Sequence, residues 1–203
     1  MNTKLLAFCL GDGTIGKGYM LHIRHCAAQK EYIEWKAKEI SKEFPCSSPV
    51  YIKNGPYDAY TIHTRTNKRN EAPLAEIHHL LYEKYGRKCF SQTIIDAMDS
   101  YCFAVLYMDD GSLTAKKRNG KIHAYDLTIS IYGDVEECNR LIAKLEKYGM
   151  KFTIKRNKGR FSIRCGTKSA RKFLNYIEKS NPHLDCFKTT KFKDLTTQFT
   201  KFT

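Results

Sequence analysis

The chain has 203 residues, of which 42% are hydrophobic, 12% aromatic and 28% charged, with a net charge of +14. That composition supplies enough apolar material for a core and excludes disorder throughout. The longest apolar run, Tyr101 to Met108, is far short of a bilayer span, and Met1 to Leu10 runs straight into Gly11-Asp12-Gly13, so neither a membrane segment nor a secretory leader is expected. A positive excess spread along the whole chain points to a polyanionic partner, nucleic acid above all. The eight cysteines contain no C-x-x-C pair, and Cys9, Cys102 and Cys165 lie in apolar segments, where a thiol behaves as a small hydrophobe. A reducing, intracellular compartment, cytoplasm or organelle matrix, is the expectation, without a zinc or disulfide framework. The histidines offer no metal cage either: His22 and His25 point to opposite faces of a strand, and adjacent His78 and His79 cannot share a helical face.

In chain order, the first element is the apolar run Leu5 to Leu10, ending in Gly11-Asp12-Gly13. Two phosphate-loop patterns overlap it. Gly11 to Lys17 fits G-x-x-x-x-G-K, and Gly11, Gly13 and Gly16 fit G-x-G-x-x-G, but Gly18 stands where the first needs Ser or Thr, and a strand follows where both need a helix. An extended segment, Tyr19 to Cys26, leads to a segment of helical period, Glu31 to Phe44. A hairpin comes next: Val50 to Lys53, a turn at Asn54-Gly55, then Ala59 to Arg65. A helical segment, Leu74 to Tyr85, precedes Lys88-Cys89-Phe90, and a linker is expected within Arg87 to Ser100.

The order then repeats. Phe103 to Met108 ends in Asp109-Asp110-Gly111, an extended segment covers Ile122 to Tyr132, and Asp134 to Tyr148 has helical period. Phe152 to Lys155 turns at Asn157-Lys158-Gly159 into Arg160 to Cys165, Ser169 to Lys179 is helical, and Cys186-Phe187-Lys188 follows. Asp12 and Asp110 lie 98 residues apart. A matched order of helix, strand, helix, hairpin and helix marks two α+β subdomains related by a pseudo-twofold axis, residues 1–95 and 96–203.

Alternation along the strands separates an apolar face from a basic, hydrogen-bonding one. Leu21 and Ile23 oppose His22 and Arg24, and Tyr60 and Ile62 oppose Thr61, His63 and Arg65. In the second half, Phe152 and Ile154 oppose Lys151, Thr153 and Lys155, and Phe161 and Ile163 oppose Arg160, Ser162 and Arg164. One such strand is more often a solvated surface, but four in a +14 chain point to a face that holds phosphates and reads base edges.

An apolar helix ending in Asp places a carboxylate at the negative end of the helix dipole. A single Asp-Gly is more often a turn with a glycine cap. Two equivalent ones have a functional reading: a hard divalent cation compensates both dipole and carboxylate, and a pair of such ends across a pseudo-twofold axis serves two phosphates of one duplex.

Leu-Gly-Asp-Gly at 10–13 and Met-Asp-Asp-Gly at 108–111, each ending an apolar helix and opening a half, resemble the single-chain LAGLIDADG homing endonucleases. The resemblance covers nearly the whole chain. It implies αββαββα subdomains forming a DNA-binding saddle of antiparallel sheets, with the two motif helices side by side. It also implies a monomer that hydrolyses both strands of a long DNA target in a reaction dependent on Mg²⁺ or Mn²⁺, leaving short 3′ overhangs. By position, Asp12 and Asp110 become catalytic metal ligands, Gly11 and Asp109 positions offering a backbone carbonyl, and Lys88 and Lys188 the lysines near the scissile phosphates. Two alternatives stay open: an intron RNA-binding maturase, and a non-cleaving DNA-binding protein of the same fold. Ala7 and Gly11 give the first helix a small-x-x-x-small contact face, whereas Val105 and Asp109 occupy the matching positions in the second. The helix contact is therefore expected to be asymmetric, and the two active sites need not be equivalent.

Overall fold

The computed structural model describes residues 1–53, 58–65, 71–82, 86–157 and 159–178, with Lys17 and Asn157 described by backbone alone. Two helices form its centre, α1 (Thr3–Leu10) and α5 (Ser100–Asp110), packed against each other. Asn2 caps α1 by accepting a hydrogen bond from the Leu5 amide, and Asp99 caps α5 by accepting one from the Cys102 amide at 2.9 Å. From Leu5 to Leu10 and from Cys102 to Met108 every side chain is buried. Helices apolar on all sides have no solvent face, which puts these two in the interior.

Each half then repeats one plan. In the first, β1 (Thr14–Ile15), β2 (Leu21–Cys26), α2 (Lys30–Ser41), β3 (Val50–Ile52), β4 (Ala59–His63) and α3 (Ala72–Tyr82) follow α1. In the second, α5 is followed by β5 (Gly111–Arg118), β6 (Lys121–Ile131), α6 (Val135–Glu146), β7 (Thr153–Asn157), β8 (Arg160–Gly166) and α7 (Thr167–Glu178). Both read αββαββα. The four-stranded antiparallel sheets have matching orders, β1-β2-β4-β3 and β5-β6-β8-β7, and matching registers: Ile23 lies opposite Ile62, and Ile129 opposite Ile163. Those isoleucines face the helices.

Between the halves, the expected linker contains a further helix, α4 (Gln92–Ala97), capped by Ser91, which contacts both α3 and α6. The capping box of α6 carries a buried carboxylate. Glu137 accepts hydrogen bonds from the Asp134 and Phe90 amides at 2.6 and 2.7 Å and pairs with Arg87 at 3.1 Å, fixing the segment before α4 to the second half. The Asn54-Gly55 turn, Lys158, the end of the third helical segment at 83–85 and the Cys186-Phe187-Lys188 run lie outside the described residues.

Candidate active site and nucleic-acid interface

The two motif helices bring their acidic ends to one place. Asp12 follows α1 with its side chain about one-third exposed. On β2 His25, almost fully buried, points Nδ1 at the Asp12 carboxylate at 3.4 Å and at Gln29 Oε1 at 3.1 Å. Facing a carboxylate, that nitrogen is the protonated one. Asp110 ends α5 and is more enclosed. Burial first, then the charges of Asp12 and Asp109, push its carboxyl up to about 7, against the pull of Lys88 and a hydrogen bond from the Tyr132 hydroxyl. The Asp110 charge, reinforced by burial, raises Tyr132 in turn. Asp110 Oδ2 is buried without a hydrogen-bond partner among the described residues.

Lys88 enters from the segment between the halves and donates to the Gly11 carbonyl at the C-terminal end of α1. A cation on the last carbonyls of a helix that has no basic residue in its final turn offsets the dipole there. Burial lowers the Lys88 pKa, opposed by Cys9 and by Asp110, Asp109 and Asp12. The Gly11 carbonyl expected to face a metal therefore already carries an ammonium.

At Asp109 the side chain is put to use, where the backbone carbonyl was the expectation. It is fully buried and accepts from Lys36 Nζ and the Tyr32 hydroxyl, both at 2.7 Å, and from the Asp12 amide at 2.9 Å. Burial alone would raise its pKa, but Lys36 and His25 hold it below the usual carboxylate range. A Cβ on Gly11 would overlap this carboxylate, so glycine is what lets α1 approach. The unequal helix contact expected from the sequence takes this form.

Both sheets turn their helix-distal faces outward with the expected alternation. On the first, His22 and Arg24 are exposed while Leu21, Ile23 and His25 are buried. His22 stacks on half-buried His63, 5.9 Å between ring centroids, and Arg65 is exposed. The Thr61 hydroxyl donates to the Ile23 carbonyl at 3.1 Å. On the second, Lys151, Thr153, Lys155 and Arg160 are exposed. Ser162 departs from expectation: it is buried, and its hydroxyl donates to the Lys155 carbonyl, so it braces the sheet. Thr153 likewise donates to the Arg164 carbonyl at 3.3 Å. Arg164 is held at 2.7 Å by Asp126, which also takes Lys116 at 2.7 Å. A concavity of about 280 Å³, lined by Thr128, Ser130, Tyr132, Lys155, Arg160 and Ser162 among others, leads from the basic face to the Asp110 partner Tyr132.

A model of the LAGLIDADG DNA endonuclease family matches residues 6–173. The chain belongs to that family. It is 27% identical over 120 residues to Protein RecA of Mycobacterium shimoidei and 28% identical over 124 residues to Protein RecA of Mycobacterium gastri; the matches take in 56% of this chain but only 26% and 27% of the relatives. The chain thus spans about a quarter of the length of the curated relatives it matches. Among solved structures it is similar to the homing endonuclease I-WcaI bound to its DNA recognition sequence, with a TM-score of 0.71 at 20% identity over 93% of this chain and 85% of that one. The LAGLIDADG homing endonuclease I-GzeII in complex with DNA target gives 0.55 at 12% identity, over 100% and 93% of the two chains. The N-terminal LAGLIDADG domain of DUF199/WhiA gives 0.53 at 15%, over 86% and 79%. At these identities the likeness is one of fold.

In this LAGLIDADG chain the donor set suits a hard divalent cation. Carboxylate oxygens from Asp12 and Asp110 are the ligand type such ions take, and the orphaned Asp110 Oδ2 lacks the partner an ion would supply. Asp12, His25 and Asp109 also offer one atom each within 4.8 Å of one another, but the Asp109 oxygens are already filled by Lys36, Tyr32 and the Asp12 amide. Lys36, Tyr32, Tyr132 and Asp126 were not singled out from sequence, and His25 was weighed only as a metal ligand alongside His22. A signal existed for one of them. Lys36 sits on the buried stripe of α2 with Ile33, Ala37 and Ile40, where a charge needs a buried counter-charge. Lys188 lies outside the described residues.

Proposed function

We propose that the protein is a site-specific homing endonuclease that hydrolyses both strands of a long duplex DNA as a monomer, using Mg²⁺ or Mn²⁺. The observation that carries this reading is the convergence of Asp12, Asp110 and Lys88 at the ends of two central helices, beside two outward basic sheet faces. The family to which the chain belongs and the DNA named with its structural neighbours I-WcaI and I-GzeII support it.

In this reading Asp12 and Asp110 would hold the cation, and the chemistry it would supply is activation of water as nucleophile and offset of charge on the leaving 3′ oxygen. The chain's own residues do the rest. His22, Arg24, His63 and Arg65 on one sheet, and Lys151, Lys155, Arg160 and Arg164 on the other, hold the duplex across the helix ends. Thr61, Thr153 and Ser162 spend their hydroxyl protons on the sheets and present only lone pairs. Lys88, with Lys188 in the equivalent role, supplies fixed positive charge for the scissile phosphates. Tyr132 donates to Asp110 and keeps that carboxylate aimed. The intron RNA alternative has no observation of its own among the described residues.

The test is a cleavage selection from a randomised duplex library in Mg²⁺ or Mn²⁺, followed by Asp110→Asn on the recovered site. The wild-type chain should yield one long consensus cut on both strands. Asp110→Asn should lose cleavage by a thousandfold or more while Ca²⁺-supported binding holds. A library that returns no site, or equal cutting by the mutant, overturns the assignment.

A further inference from the structure

The carboxylate of Asp109 and the ammonium of Lys88 meet the same peptide unit from opposite sides. Lys88 Nζ donates to the carbonyl of Gly11, and the amide of the following residue, Asp12, donates to Asp109 Oδ2 at 2.9 Å. These are the two polar ends of one planar group. Turning that plane changes the Gly11 ψ and Asp12 φ angles, which swing the Asp12 side chain. Held at both ends by charged groups, it does not turn, and charge-assisted hydrogen bonds are the strong kind.

The grip is itself braced. Asp109 Oδ1 accepts from Lys36 Nζ and the Tyr32 hydroxyl, both at 2.7 Å, and the Lys36 ammonium lies over the Tyr32 ring, 4.5 Å from its centroid. Lys36 and Asp109 are both fully buried, so the pair is unscreened by solvent. The chain of contacts runs from α2 of the first half to α5 of the second, then back to the end of α1. Among the described residues Asp110 has no equivalent carboxylate grip, because the residue matching Asp109 in the first motif is Gly11, which has no side chain to offer.

We infer that Asp109 is a positioning residue for Asp12: with Lys36 and Tyr32 behind it and Lys88 opposite, it clamps the Gly11–Asp12 peptide and so aims the first-half carboxylate, while the second-half carboxylate is aimed without it. This rests on the endonuclease reading for its effect on cutting but not for the clamp itself. Its consequence is one-sided: loosening the clamp handicaps the strand served by Asp12 more than the strand served by Asp110.

The test compares the wild-type chain with the charge-neutral pair Asp109→Leu plus Lys36→Met, which leaves no buried charge unpaired. Tyr32→Phe, which removes one hydroxyl, is the milder variant should the pair fail to fold. Two readouts are taken. Amide hydrogen exchange at Asp12 should quicken at least tenfold in the pair, and by a smaller factor in Tyr32→Phe, with Leu106 in α5 unchanged. On an end-labelled target, the strand that Asp12→Asn slows most should be slowed about tenfold more than the other strand by the pair, and about threefold more by Tyr32→Phe, with Ca²⁺-supported DNA affinity kept within twofold. Unchanged Asp12 exchange, or equal slowing of both strands, overturns the inference. If the wild-type chain cuts no DNA, the endonuclease reading fails separately, and Asp12 exchange alone decides whether the clamp exists.

Discussion

The two halves share a plan and divide its chemistry. Asp12 is one-third exposed, faces His25, and follows a peptide gripped by Asp109 and Lys88. Asp110 is mostly enclosed, holds an oxygen without a hydrogen-bond partner among the described residues, and meets Tyr132. The helices behind them differ in the same sense. α2 and α6 are each twelve residues long, and the seventh residue is Lys36 in one and Leu141 in the other, both fully buried. The third is Tyr32 in α2, serving Asp109, and Glu137 in α6, serving Arg87 and the Phe90 amide. Equal backbone order thus coexists with unequal buried charge: one half invests it in the acid site, the other in anchoring the connection between halves.

The largest effect that breaks this comparison is on stability. Lys36→Met alone strands the Asp109 carboxylate in the interior and should cost about 3–5 kcal/mol in a urea titration. Adding Asp109→Leu should return most of that loss. The matching change in the other half, Leu141→Met, conserves volume and should cost under about 1.5 kcal/mol.

The next effect separates neighbouring acids by pH. In metal-free protein Asp110 has its pKa raised from 3.8 to about 7, so the folded state keeps a proton that the unfolded chain gives up. Its contribution is intact below about pH 4, is lost as pH rises through about 7, at roughly 1.4 kcal/mol per pH unit, and then levels off. Asp109 has its pKa lowered and acts oppositely, contributing above about pH 4 and losing that contribution as pH falls. Urea titrations in a chelator check the Asp110 sign between about pH 4 and 8 and the Asp109 sign below about pH 4, and Asp110→Asn should flatten the upper slope. The smallest effect concerns the sheets. Arg65→Ala should weaken DNA binding by about 1 kcal/mol and reduce the salt slope by about one. Arg164→Ala should do less, since Asp126 already neutralises part of Arg164. Equal losses for the two arginines would remove that distinction.

The parts of the fold legible in the sequence were those with an apolar or alternating period: α1, α2, α3, α5, α6 and α7, and the strands β2, β3, β4, β6, β7 and β8. β1 has only two residues and no period to read. β5, Gly-Ser-Leu-Thr-Ala-Lys-Lys-Arg, is mostly polar and carries a register shift between Lys116 and Lys117, so its alternation fails midway. α4 is a six-residue helix inside a connection, shorter than the window in which helical period shows. In the candidate site, Asp12, Asp110 and Lys88, which the structure brings together, could be named because motif and position carry them. The Asp109–Lys36 pair could not, because it joins residues 73 apart through packing, and local sequence records only that a lysine lies on a greasy stripe.

The contact between Gly11 and Asp109 also limits what either half could do by itself. Two copies of the first half, paired through their motif helices, would set glycine against glycine and leave Lys36 twice in the interior without the Asp109 carboxylate that pairs with it. Two copies of the second half would press one buried carboxylate onto another, with Leu141 where a lysine is needed. The duplicated segments have become lock and key to one another, and neither can be swapped for a second copy of its mate.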